Sequence, residues 1–112
     1  MAAAEPIRVA RTESLFRDVN ERIAEAAKKL GSDYAEFVCE CADAECSDRF
    51  SAQLEEYDQV RADGRRFLVA QGHEEPEFER VVDRRTGHGI VRKDKDARVA
   101  AEVSRLNPRP AN

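Results

Sequence analysis

Every cysteine in this chain lies within eight residues, in the run Cys39-Glu40-Cys41-Ala42-Asp43-Ala44-Glu45-Cys46. Three is an odd number, so these thiols cannot all pair as disulfides, and the N-terminal Met-Ala-Ala-Ala-Glu-Pro-Ile-Arg lacks the apolar segment of a secretory signal. No run reaches the roughly 18 apolar residues of a membrane span. The chain therefore reads as cytoplasmic, where thiols stay reduced and clustered cysteines bind metal.

His73, directly behind Gly72, follows Cys46 after a gap of twenty-six residues. Three soft sulfurs and one imidazole fill the tetrahedral shell of zinc and leave no open position. The expected site is thus Cys39, Cys41, Cys46 and His73 around one Zn2+, structural rather than catalytic. The spacing C-x-C-x4-C differs from the paired C-x2-C knuckles of common zinc ribbons, so rival readings stay open. The same ligands could hold an iron–sulfur cluster, Cys39 and Cys41 could cycle as a redox pair, or the cysteines could simply be buried. His88, between two glycines, competes with His73 as the fourth ligand.

A metal staple suits the composition. The chain has 112 residues, one domain's worth, with 38% charged residues, five Phe, two Tyr and no Trp. Its apolar interior is thin, and metals commonly supplement thin interiors. Zinc binding in small peptides is worth on the order of 10 kcal/mol or more, comparable to the roughly 5–15 kcal/mol stability of a whole domain.

Charge is unevenly spread. Residues 34–60 hold eight acids against one base, Arg49, whereas residues 61–112 hold twelve bases against nine acids. An acidic surround disfavours nucleic acid at the cysteine face. A nucleic-acid-associated regulator remains the alternative reading, through Arg65, Arg66, Arg80, Arg84, Arg85, Arg92 and Lys93. Arg49 either offsets thiolate charge or is an ordinary strand-edge arginine.

Residues 1–11 lack periodicity and are expected to be disordered. Thr12 offers a cap to a helix over 13–30, with Leu15, Phe16, Val19, Ile23, Ala26, Ala27 and Leu30 at helical spacing. Gly31 ends it. That stripe either roofs a sheet along its whole length or leaves part of itself for a homodimer or partner contact. Strands are expected at 34–39, at Phe50–Leu54 by alternation, at 65–70 and from Ile90, with helices at 55–62, at 76–83 behind Pro76, and after Asp94 or Asp96. The whole is an α+β fold: a long helix on a small, mainly antiparallel sheet of three to four strands, zinc-stapled. Its boundaries are a single domain over 12–106 and a disordered tail at 107–112.

No nucleophile elbow, P-loop, zinc-protease motif or dinucleotide fingerprint occurs. Among Glu74, Glu75, Glu77 and Glu79, one carboxylate could orient the His73 imidazole, although glutamates also crowd ordinary helix starts.

The line Phe37-Val38-Cys39-Glu40-Cys41, Cys46, Glu56-Tyr57, Arg66-Phe67, Val69 and Gly72-His73 resembles a group of small bacterial proteins with the pattern F-x-C-E-C-x4-C, E-Y, R-x-F-x-V and G-H. The helix Leu15-Phe16-Arg17-Asp18-Val19-Asn20-Glu21-Arg22-Ile23 belongs to the same resemblance, which covers residues 13–93. It implies that the three cysteines and His73 act as a unit, and it carries no activity across. The resulting expectation is a non-enzymatic zinc-binding module that contacts another protein. Its candidate surfaces are an acidic face at Glu40, Asp43 and Glu45 and the exposed part of the first helix, with no membrane role.

Overall fold

Pro6 sets the start of the first helix. Its ring fixes a helical φ and lacks the amide that would go unbonded there. Glu5 then caps the turn by accepting a hydrogen bond from the Ile7 amide at 3.2 Å. The computed structural model, which describes residues 5–109, runs α1 (Pro6–Lys29), β1 (Tyr34–Val38), β2 (Arg49–Gln53), α2 (Leu54–Arg61), β3 (Arg66–Ala70), β4 (Arg80–Arg84), β5 (His88–Arg92) and α3 (Ala97–Arg105). The helix thus begins six residues before the expected Thr12 cap, and residues 6–11 are helical rather than disordered. Residues 1–4 of that expectation lie outside the described residues. Gly31, at φ 73°, closes α1 in the left-handed region where a glycine is unstrained.

The fold is α+β, with all strand pairings antiparallel. The strands form two sheets, β1-β2 and β3-β5-β4, rather than one sheet of three to four. Residues 76–83, expected as a helix, are a turn followed by β4, which pairs with β5 through a bulge at Val82. β-Branched Val81 and Val82 suit that pleat better than a helix. Asp96 caps α3, accepting from the amides of Arg98 and Val99. The expected disordered tail is pinned as far as Arg109, whose guanidinium meets Glu21 at 2.8 Å and Asp58 at 2.9 Å. Residues 110–112 lie outside the described residues.

The largest departure from expectation is which face α1 buries. Leu15 is 62% exposed and Leu30 86%, and the core instead receives Val9, Ala10, Glu13, Ser14, Arg17, Asn20 and Ala24. Much of the side of α1 that is buried is therefore polar, and each long polar group finds a partner from another element. Arg17 donates to the carbonyls of Gly64 (2.8 Å) and Val103 (2.9 Å) and lies 4.6 Å over the Phe67 ring. Asn20 accepts from the Val38 amide and donates to the Val38 carbonyl, both at 2.9 Å, as a neighbouring strand would. Apolar periodicity located the helix but not its inward side, because hydrogen bonds rather than methyl groups decide it.

Glu40 joins these layers. It was expected on an acidic surface but is fully buried. Its Oε1 accepts from Arg61 (2.6 Å) and the Leu68 amide (2.9 Å), and its Oε2 accepts from Asn20 (2.7 Å). Its own amide donates to the Leu68 carbonyl at 2.8 Å. One residue therefore ties the β1-β2 hairpin to α1, α2 and β3. A second buried group sets Lys93 between Glu13 and Glu79, all three fully buried. Lys93 is consequently no part of a basic surface. One cation with two dry carboxylates carries excess negative charge, and burial pushes Glu13 up to about 7 despite the pull of Lys93.

Removing one partner of a buried charge leaves the other stranded, at about 3–5 kcal/mol. Glu40→Ala should lose that much in urea unfolding at neutral pH, and Asn20→Ala about 1–3 kcal/mol. A raised carboxyl pKa favours the folded state fully below the unfolded value, 4.5, and progressively less up to about 7. The stability of the wild type relative to Glu13→Gln should therefore fall across that window, by on the order of 1–3 kcal/mol. Paired unfolding curves from pH 4.5 to pH 7 check it, and a flat difference contradicts the assignment.

Candidate metal centre

The β1-β2 hairpin delivers the sulfurs. Cys39 follows directly on β1, its amide donating to the Asp48 carbonyl at 3.0 Å. The connecting loop is drawn tight by Asp43, whose side chain accepts from the Glu45 amide and whose carbonyl accepts from the Cys46 amide. Residues two apart in extended chain point the same way. Cys39 and Cys41 therefore share a side, and Glu40 between them is sent to the other, into the core. Alternation within the C-E-C run is the signal that could have found Glu40.

The imidazole arrives from β3. The Ala70 amide at the end of that strand donates to Cys39 Sγ at 3.1 Å. The chain then turns back, with Gly72 at φ 86° and the His73 amide on the Ala70 carbonyl at 3.0 Å. A side chain at position 72 would be strained, so glycine is what lets His73 face the hairpin.

These four residues come together: one ligand atom from each of Cys39, Cys41, Cys46 and His73 lies within 4.8 Å of every other. His73 Nδ1 is 3.6 Å from Cys39 Sγ and 3.5 Å from Cys46 Sγ. A tetrahedral ion bonded to sulfur at about 2.3 Å and to nitrogen at about 2.0–2.1 Å spans an S···N edge of about 3.5 Å. The spacing is that of ligands around a single ion.

The imidazole is also oriented. Its Nε2 lies 3.0 Å from Asp48 Oδ2, which favours the proton on Nε2 and frees Nδ1 to ligate. The orienting carboxylate is thus Asp48 rather than one of Glu74, Glu75, Glu77 or Glu79, and Glu79 is buried against Lys93. Arg49 points away, exposed and 3.9 Å from Glu36.

Protonation in the cluster is uneven. The Cys41 thiol is pulled down to about 5 by the neighbouring Cys39 thiol, with a further pull from the His73 imidazole. Cys39 is pushed up by Cys41 and by burial, and Cys46 by burial. His73 is raised by the Cys41 sulfur close beside it. Protons shared this closely are what a divalent cation displaces on binding. Cys39 and Cys41 are buried, whereas a cavity lined by Cys41, Asp43, Gly72, His73, Glu74 and Glu75 opens the site to solvent on one side.

His88 plays no part here. It is a buried residue of β5, with Nε2 2.8 Å from Glu56 and its ring stacked on Phe50 at 4.6 Å. No helix among the described residues is long and apolar enough to cross a membrane. Compared with protein families, curated proteins and solved structures, the chain matches none.

His73→Ala and Cys46→Ser should each abolish metal retention through gel filtration, while His88→Ala keeps the wild-type content. Asp48→Asn should retain the site but weaken metal binding by about 10–100-fold, read by competition with a chromophoric chelator. Equal retention in His73→Ala and wild type would remove the imidazole from the ligand set.

Proposed function

We propose that this protein is a non-enzymatic zinc-binding module that works in the cytoplasm by contacting another protein, in a regulatory setting. The observation that carries the reading is the pair of S···N edges at 3.5 and 3.6 Å, which match one tetrahedral ion. Three thiolates and an imidazole saturate such an ion, leaving no position for a substrate or an activated water. A polynuclear iron–sulfur cluster interposes its own atoms and needs its ligands spread wider. Zinc binding to this set releases protons and adds its free energy to folding.

A protein partner is favoured by surface chemistry. Leu15, Val19, Leu30 and Tyr34 are large apolar side chains left in solvent. The basic residues that would suit nucleic acid are largely spoken for. Arg80 and Arg92 pair with Asp94, Arg92 and Arg66 also with Asp63, and Arg85 with Asp83. Internal ion pairs of this kind leave few cations free to neutralise phosphates.

Elemental analysis of natively purified, anaerobically handled protein should find one zinc per chain and a colourless solution. A strong chelator should lower the melting temperature by at least about 10 °C, since each kcal/mol lost shifts a domain of this size by roughly 4–8 °C. Brown protein with visible absorption and iron would overturn the zinc assignment. Metal-free protein with unchanged melting would overturn the structural role.

A further inference from the structure

The solvent side of α1 has a pattern that its own fold does not use. Leu15, Val19, Ala26 and Leu30 are all exposed and fall within about 60° of one another on the helix, at 100° per residue. They form a stripe about 22 Å long at 1.5 Å per residue. Along one edge of it run Asp18, Arg22, Glu25 and Lys29, likewise exposed. Lys28 and Glu21, nearer the body of the protein, reach Asp58 and Arg109. Among the described residues, the four edge charges have no ion-pair partner in the chain.

Both rows share one symmetry. Read from 18 to 29, the edge charges alternate minus, plus, minus, plus, so the same helix running the opposite way presents plus, minus, plus, minus. An antiparallel copy therefore sets Asp18 beside Lys29 and Arg22 beside Glu25, each twice. The register that does so differs by two residues, about 3 Å of slide, from the one that sets Leu15 against Leu30 and Val19 against Ala26, so their midpoints fall one residue apart. Both centre near Ile23, itself half-buried at the border of the stripe. A helix face that serves only solvent has no need for an apolar row and a charged row whose midpoints fall within one residue of each other.

We propose that α1 is the interface of a twofold homodimer, two copies packing antiparallel about Ile23. The partner of this module surface is then a second copy of the chain, an isologous contact in which each favourable pair occurs twice. This rests on the reading of the protein as an interaction module but not on the identity of the ion. The metal centre is built from the hairpin loop and the end of β3, so no substitution on this stripe touches it. A single helix pair is a small contact, and an association in the micromolar range fits it.

Sedimentation equilibrium of the full, metal-loaded chain from about 5 to 500 µM should show reversible growth to twice the 12.6 kDa chain mass. Val19→Glu should weaken association at least about tenfold. Arg22→Glu should weaken it about tenfold by setting like charges together twice, and the double variant Arg22→Glu/Glu25→Arg should recover to within about threefold of wild type. Metal content and melting temperature, measured on the same samples, separate loss of pairing from loss of fold. A metal-loaded wild type that stays monomeric at about 500 µM overturns the dimer and leaves the zinc reading standing. A dimer unmoved by Val19→Glu, or a double variant no better than Arg22→Glu, overturns the proposed pairing.

Discussion

The Glu40 carboxylate is the point through which the rest of this structure is connected. It sits between two sulfur-bearing residues and hydrogen-bonds Asn20, Arg61 and the Leu68 amide in the interior. Cys39 and Cys41 can face one site only if Glu40 faces the opposite way, so ligand geometry and core geometry are set by the same three residues. The consequence is a coupling. Whatever holds the two thiols in place also holds the carboxylate that positions α1, α2 and β3, and a hairpin that loosens at the sulfurs loosens those contacts as well.

A thin apolar core makes that coupling matter. Phe37, Tyr57, Phe67 and Phe78 are fully or nearly fully buried, but so are Glu13, Arg17, Glu40, Arg61, Glu79 and Lys93, three carboxylates and three cations. Buried ion pairs add little net stability over apolar packing, because desolvation offsets most of the attraction. They do punish any arrangement that separates partners. The interior is thus better at selecting one packing than at driving collapse. An ion held by Cys39, Cys41, Cys46 and His73 would supply the missing drive in a chain that carries so much charge inward.

How much of this was legible in the sequence depends on which interaction decided each element. Cys39, Cys41, Cys46 and His73 could be grouped because ligand chemistry restricts residue types so sharply. The strands at Tyr34, Phe50 and Phe67 were visible in alternation or in an apolar run. Residues 76–83 were misread because three apolar positions behind a proline fit a helix start as well as a turn and edge strand, and pairing with β5 decided between them. The inward face of α1 was only partly legible from hydrophobicity: Ile23 and Ala27 of the expected stripe pack against the core, but the fully buried polar positions lie elsewhere on the helix. Glu13, Arg17 and Asn20 are buried for partners supplied by residues 38–40, 64, 93 and 103, and nothing local to the helix announces them. Asp48 escaped for the same reason, since its role depends on a residue twenty-five positions later.

X-ray absorption at the metal edge of natively purified protein tests the account most directly. The expected spectrum shows zinc with three sulfur neighbours at about 2.3 Å and one nitrogen at about 2.0–2.1 Å, and no metal–metal scattering. A first shell of oxygens, fewer than three sulfurs, or iron with a second iron nearby would contradict it.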